Sequence, residues 1–492
     1  MRRHLLLVAS LATIAGAGPL AAQGMRVTGI TTARYIEIRP LKPDSVPVTE
    51  TVGEGNLREN LEGRIVRCIP GEAFCRFRSP ADPVSTVPLT QDVIASGWGF
   101  GQGIRVYAHL RARAAVGENT ALWPREDDVF DALAAYAELD RGIFRARLGR
   151  QWKTSGLGFY NFDGASLLVR PLNGLAVDLY GGLSLVRGLD EHYSTDAFSP
   201  VEEFPPEENA YLIGLQATYR PSARLAVSAL YQREIRTDFA GLYSERVAAD
   251  AVLRLPRGIT LTAAADADLA TGDINTLRLR GNGPIGRGFG LELEAHRHVP
   301  FFELWTIWGA FSPVGYDEAL AGVTWSRTGS PLTLRLRGSW RNYDETHTGL
   351  GFAPIRSDGW RIMADAAWLS PAGWTAFGRY GRQIDFGAAL SEGDLGVRFD
   401  LNEHTFLGVS AVAFQSIREF RVQEGWVVGG GADGGVRLGP SLRILGNLLL
   451  YRHVDDENGV EDEWNQLRAT LRAEWTIGRD PGMVRPRTGG RS

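Results

Sequence analysis

The residues of this chain that could do chemistry are charges, and they recur two apart in groups of one sign. Glu138 and Asp140 precede Arg145 and Arg147. Asp266 and Asp268 precede Arg278 and Arg280, then come Glu292 and Glu294, and further on Arg335, Arg337 and Arg341. Arg105, Arg111 and Arg113 form an earlier basic run. Residues two apart share one face of a strand, and adjacent strands set such faces side by side. Two readings follow. Cross-strand ion pairs would satisfy a polar interior, or the same charges would set a transverse field and an arginine track for anions. Arginine suits either, because it keeps its charge and grips carboxylates or phosphates with two donors. Rings of such charges set selectivity in pores.

Other chemistries have less behind them. The 8 histidines are scattered, and none sits with a serine in a recognisable nucleophile–base setting, so the chain is read as a non-enzyme with no cofactor. The stretch LELEAHRHV puts Glu292, Glu294, His296 and His298 on one face, but one strand alone gives poor ligand geometry, so no metal site is expected. VDDENGVEDEW, residues 454–464, reads as a solvated acidic loop, with divalent ions bridging lipid headgroups as the alternative.

The elements that must position these charges alternate with period two. LTLRLRGSW places Leu332, Leu334 and Leu336 opposite Thr333, Arg335 and Arg337. GIRVYAHLRARAAV, LAAYAELD, ITLTAAADADL and LRATLRAEWTI repeat the pattern from about residue 102 to 478. Short turn-like joints, such as Asp140-Arg141-Gly142 and Pro371-Ala372-Gly373, alternate with longer ones, the longest near 188–208, 298–314 and 344–357. A soluble sheet would bury the apolar parity and a membrane barrel would expose it. WRIMADAAW decides for the barrel. Trp360 and Trp368 lie eight residues apart on one face, roughly 20 Å along the membrane normal for a tilted strand, which approximates an apolar band between two aromatic girdles. The expected fold is all-β: a transmembrane antiparallel β-barrel of about 20 strands, within roughly 18–22, over residues 102–478.

The flanking segments differ. Residues 1–22, with Arg2 and Arg3 before an apolar run and Leu20-Ala21-Ala22, read as a cleaved signal peptide for export, and with the expected barrel the location is the cell outer membrane. Residues 23–101 are interrupted by prolines and read as an N-terminal periplasmic segment or a plug with a small hairpin around Cys68 and Cys75. That cysteine pair suits a local disulfide in an oxidising compartment. Residues 479–492 read as a disordered periplasmic tail. Only two lysines, Lys42 and Lys153, stand beside the arginines, and a net charge of -4 gives no argument for nucleic acid. Outer-membrane lipids and a small or anionic solute are the expected partners, and the oligomeric state is left open.

One stretch, RLGRQWKTSGLGFYNFDGASLLV (147–169), resembles the GRQ…FDG strand–loop–strand of large outer-membrane porins, including the alginate-export type, at Gly149-Arg150-Gln151 and Phe162-Asp163-Gly164. The resemblance implies diffusion or export of a solute along an arginine-lined anionic path. The expected function is therefore a porin-like channel with an arginine-lined, mixed-charge lumen. The alternative is a closed structural or adhesin-like barrel that binds partners through its outer loops.

Overall fold

The computed structural model describes residues 24–478 apart from 40, 62–64, 118–128, 186–209, 237–243, 300–314, 345–356, 386–387, 419–422 and 458–459. The expected signal peptide and C-terminal tail lie outside the described residues, as does most of the three longest joints.

In chain order the structure begins with β1 (Gly24–Ile38). Five short strands follow: β2 (Leu41–Pro47), β3 (Thr51–Val52), β4 (Leu57–Asn60), β5 (Ile65–Cys68) and β6 (Phe74–Pro80). Then come β7 (Val84–Trp98), β8 (Ile104–Gly117), β9 (Phe130–Asp140), β10 (Phe144–Ser155), β11 (Gly158–Leu172), β12 (Leu175–Ser184) and β13 (Ala210–Tyr219). They continue with β14 (Leu225–Arg236), β15 (Ser244–Arg254), β16 (Thr260–Asp268), β17 (Asp273–Gly286), β18 (Phe289–His298), β19 (Tyr316–Ser326) and β20 (Leu332–Tyr343). The last are β21 (Asp358–Leu369), β22 (Trp374–Asp385), β23 (Ala388–Asn402), β24 (Thr405–Arg418), β25 (Gln423–Leu438), β26 (Leu442–Glu457) and β27 (Val460–Gly478).

β7 to β27 pair antiparallel with their chain neighbours, and β1 pairs with both β7 and β27, closing a ring of 22 strands. At roughly 4.8 Å between strands and a tilt of about 40°, 22 strands have a perimeter of roughly 140 Å and a mean diameter of roughly 44 Å. Arg26 lies opposite Gly478, so the start of β1 and the end of β27 sit at the rim of the short turns.

Here the structure corrects the expected boundaries. The barrel does not begin at residue 102: β1 and β7, from the segment expected as an extension or plug, are wall strands. β8 to β27 are the expected 20, and these two make 22. The physical reason is weak alternation. On the parity that should be apolar, Thr31 faces Gln91 and donates to it, while Ile30 and Ile94 sit on the polar parity and Pro88 interrupts β7. Of the described residues of that segment, only the excursion between β1 and β7 leaves the wall, at the rim opposite the short turns. It forms a separate five-stranded sheet in the order β2-β6-β5-β4-β3. Val66, Cys68 and Cys75 are its core, packed by Val46, Val48 and Phe77, and the two cysteines are bridged.

The two faces of the barrel wall differ as alternation demands. On β20, Leu334, Leu336 and Trp340 are 42%, 56% and 51% exposed. Arg335 and Arg337, between them, are held in ion pairs. Leu148, Leu279, Leu293, Leu395, Leu450 and Leu471 continue the exposed apolar face around the wall. Trp340 lies opposite Trp360 near one rim, and Trp368 stacks on Trp374 at 6.4 Å near the other.

Candidate functional site

The sequence-predicted charges gather into networks on the parity opposite the exposed apolar residues. Buried Glu138 on β9 accepts from Arg147 Nε at 2.8 Å and lies 3.8 Å from Arg145 and 4.0 Å from Arg105. Arg145 also grips Asp140 at 2.8 Å, and Arg147 lies 5.0 Å over the Tyr136 ring. Asp92 accepts from Arg111 at 2.8 Å and contacts His109 at 3.0 Å, while Arg113 reaches Asp131 at 3.5 Å.

The second group spans β17 to β20. Arg278 binds Glu294 through Nε at 2.7 Å and Nη2 at 2.8 Å. Arg280 binds Glu292 at 2.8 Å, and Arg335 reaches the same carboxylate at 2.7 Å across an intervening strand. On the intervening strand Gly322 lies opposite both Glu292 and Arg337, and a Cβ there would stand 2.9 Å from Arg337 Cγ. Arg341 pairs with Glu318 at 3.4 Å, and Asp365 stands between Arg337 at 4.0 Å and Arg379 at 2.9 Å. The half-exposed pairs add little stability each, about 0–1 kcal/mol, whereas breaking a buried pair strands a charge.

Two expectations are refined. Asp268 is buried and accepts the Ala270 backbone N–H at 2.9 Å, which makes it a turn-shaping group. Glu292 and Glu294 are engaged by arginines while the His296 and His298 rings lie tilted against each other at 5.4 Å, so the four candidate ligands of that strand do not converge. Among the described residues no three His, Cys, Asp or Glu come together as a metal set.

The feature that alternation did not reveal is the β10–β11 hairpin. The two strands pair with each other from Phe144–Val169 to Ser155–Gly158. β10 leaves β9 after Arg150, opposite Ala135, and among the described residues the β11–β12 ladder runs from Phe162 onward. The free tip lies over the charged parity of β12 to β15. Leu157, Tyr160 and Phe162 form a buried cluster with Tyr180, Leu212 and Leu230, against Ala248. Arg246 on β15, 5% exposed, donates to Leu157 O at 3.1 Å, Tyr160 Oη at 3.2 Å and Asp266 Oδ1 at 2.8 Å. Four strand spacings separate β11 from β15, roughly 19 Å, so the tip cannot lie in the wall and make these bonds.

The GRQ and FDG residues build the bend. Gly149 has φ 126°, and a Cβ there would overlap the Ala135 carbonyl. Gly149 faces Gly164, which faces Gly182, and a Cβ at either of the latter would strike the neighbouring backbone. Arg150 spans the bend to Asp163 with two bonds of 2.8 Å and donates to Ala132 O at 3.0 Å. Buried Gln151 donates to Gly164 O and accepts from Ser166. On the other side of the hairpin Trp152 meets Tyr107 of β8 edge-on at 6.0 Å. The signals in the sequence were the glycines at matched register and Lys153, which is ion-paired with Asp178.

No protein-family model matches the chain, and no curated protein matches it. Among solved structures it is similar to the P pilus usher (PapC) translocation pore, at 9% identity over 92% of this chain and 99% of that one, TM-score 0.45. It is also similar to Acinetobacter baumannii OccAB1, at 10% identity over 93% and 97%, TM-score 0.41. Pseudomonas aeruginosa OpdQ is similar at 11% identity over 92% and 98%, TM-score 0.39. By its own geometry the chain is a closed 22-stranded antiparallel barrel with one exposed apolar face and one charged, ion-paired face.

Proposed function

We propose that the chain is an outer-membrane channel whose charged face lines a water-filled pore and whose apolar face meets lipid. The observation that carries this reading is the exposed apolar parity running round a closed wall, backed by ion-paired charges on the other parity. A soluble barrel would hide the leucines and expose the charges. Arg105, Arg111, Arg113, Arg145, Arg147, Arg278, Arg280, Arg335, Arg337 and Arg341, interleaved with Glu138, Asp140, Asp266, Glu292 and Glu294, would then act as an electrostatic filter for small or anionic solutes. The process is passage, with no catalytic step.

The self-cored, disulfide-bridged sheet at the rim opposite the short turns favours a second reading, a closed adhesin-like barrel that displays this sheet to partners. Single-channel conductance of the refolded mature chain in a planar bilayer, with reversal potentials in a salt gradient, separates the two. Steady openings whose anion preference falls in Arg335→Ser/Arg337→Ser support the channel. A folded, heat-resistant barrel that never conducts supports the adhesin-like reading and rules out the channel.

A further inference from the structure

The geometry points to the hairpin Arg150–Asp163 as the constriction of this pore, a second layer folded against the inner wall that limits the size of solute passed; the inference rests on the channel reading. Its two sides fix its position. One touches Arg246 on β15 and the other touches Tyr107 on β8, both on the charged parity. Seven strand spacings lie between β8 and β15, roughly 34 Å of wall, and a chord joining them runs through the interior of a closed ring.

The hairpin is held as a rigid layer. Its wall side carries the buried Leu157, Tyr160 and Phe162 cluster and the Arg246 bonds. Its open side presents Trp152 and Phe159, 37% and 41% exposed. The glycine row at Gly149 and Gly164 allows the turn inward, and the Arg150–Asp163 bonds span it. Layers of sheet pack about 10 Å apart. The hairpin therefore takes about 10 Å from one side of a bore that side chains narrow to roughly 34 Å, which is roughly a quarter of its area.

The test uses full-length mature protein in planar bilayers, with graded neutral polyethylene glycols to read the exclusion size. Replacing residues 152–161 by Asn-Gly joins Gln151 to Phe162, which already face each other, through a two-residue turn. Single-channel conductance should rise by about 1.3-fold or more, and larger polymers should enter. A second variant leaves the hairpin intact: Phe159→Cys, in a chain whose two natural cysteines are bridged, modified by a cationic methanethiosulfonate reagent. Conductance should step down on modification and anion preference should rise. If the wild type conducts while the shortened hairpin leaves conductance and exclusion size unchanged, or modified Phe159→Cys conducts as before, the constriction is refuted and the channel stands. Silence of wild type and both variants refutes the channel itself.

Discussion

Arg246 is the side chain on which the inward fold most depends, and its removal has a calculable cost. It is 5% exposed and its partner Asp266 is 9% exposed, with 2.8 Å between them. Arg246→Leu leaves the Asp266 carboxylate buried beside leucine and strips donors from Leu157 O and Tyr160 Oη. Stranding one member of a buried pair costs about 3–5 kcal/mol. The two lost bonds overlap with that figure, so about 4 kcal/mol is expected for the whole change. The double variant Arg246→Leu/Asp266→Leu removes both charges and should recover most of the loss, ending within about 1–2 kcal/mol of wild type, the residue of the two bonds to the hairpin tip. Urea titration of the barrel refolded in lipid vesicles, followed by tryptophan fluorescence and extrapolated linearly, measures each variant. Asp266→Leu alone, which strands the arginine instead, completes the cycle, and the coupling should be at least about 3 kcal/mol. A loss below about 1 kcal/mol for Arg246→Leu, or a double variant no better than the single, would refute the account of a buried pair anchoring the hairpin.

Three further outcomes are expected. Gly149→Ala should lower the refolded, heat-resistant fraction on gels much more than Gly142→Ala; both have positive φ, but a Cβ at Gly149 meets backbone while at Gly142 it meets nothing within 4 Å. Cys68→Ser/Cys75→Ser should leave the barrel's urea midpoint unchanged and speed tryptic cleavage at Arg67 and Arg76, because the bridge closes a sheet with its own core, worth about 2–3 kcal/mol locally. Asp344, just beyond β20, is held below the usual carboxylate range by its hydrogen bonds from Arg297, so its contribution is present above the unfolded value of about 3.9 and is lost as pH falls through the lowered folded value. Both side chains are about a third exposed, so Asp344→Asn should cost about 0.5 kcal/mol at neutral pH and nothing in strong acid, read from urea midpoints across pH.

How much of this was legible in the sequence follows from what alternation can carry. On β20, leucine and arginine on opposite parities announced both strand and facing, because period two is a local property of the chain. The short turns and the charge groups were equally local, and the 20 strands from β8 to β27 emerged from them. β1 and β7 did not, because Thr31, Gln91 and Pro88 blur their faces, and they belong to the wall only through hydrogen bonds to each other and, for β1, to β27 some 440 residues away. Which arginine meets which carboxylate was likewise undecided. Arg335 reaches Glu292 across β19, a pairing that depends on the register of three strands. The sequence by itself determined the strands from β8 to β27, their two faces and the charged parity of each. Tertiary structure alone decided that the wall closes through the N-terminal strand and that GRQ…FDG folds inward, because those outcomes need a glycine row in register across three strands and an Arg246 four strands distant to receive the tip.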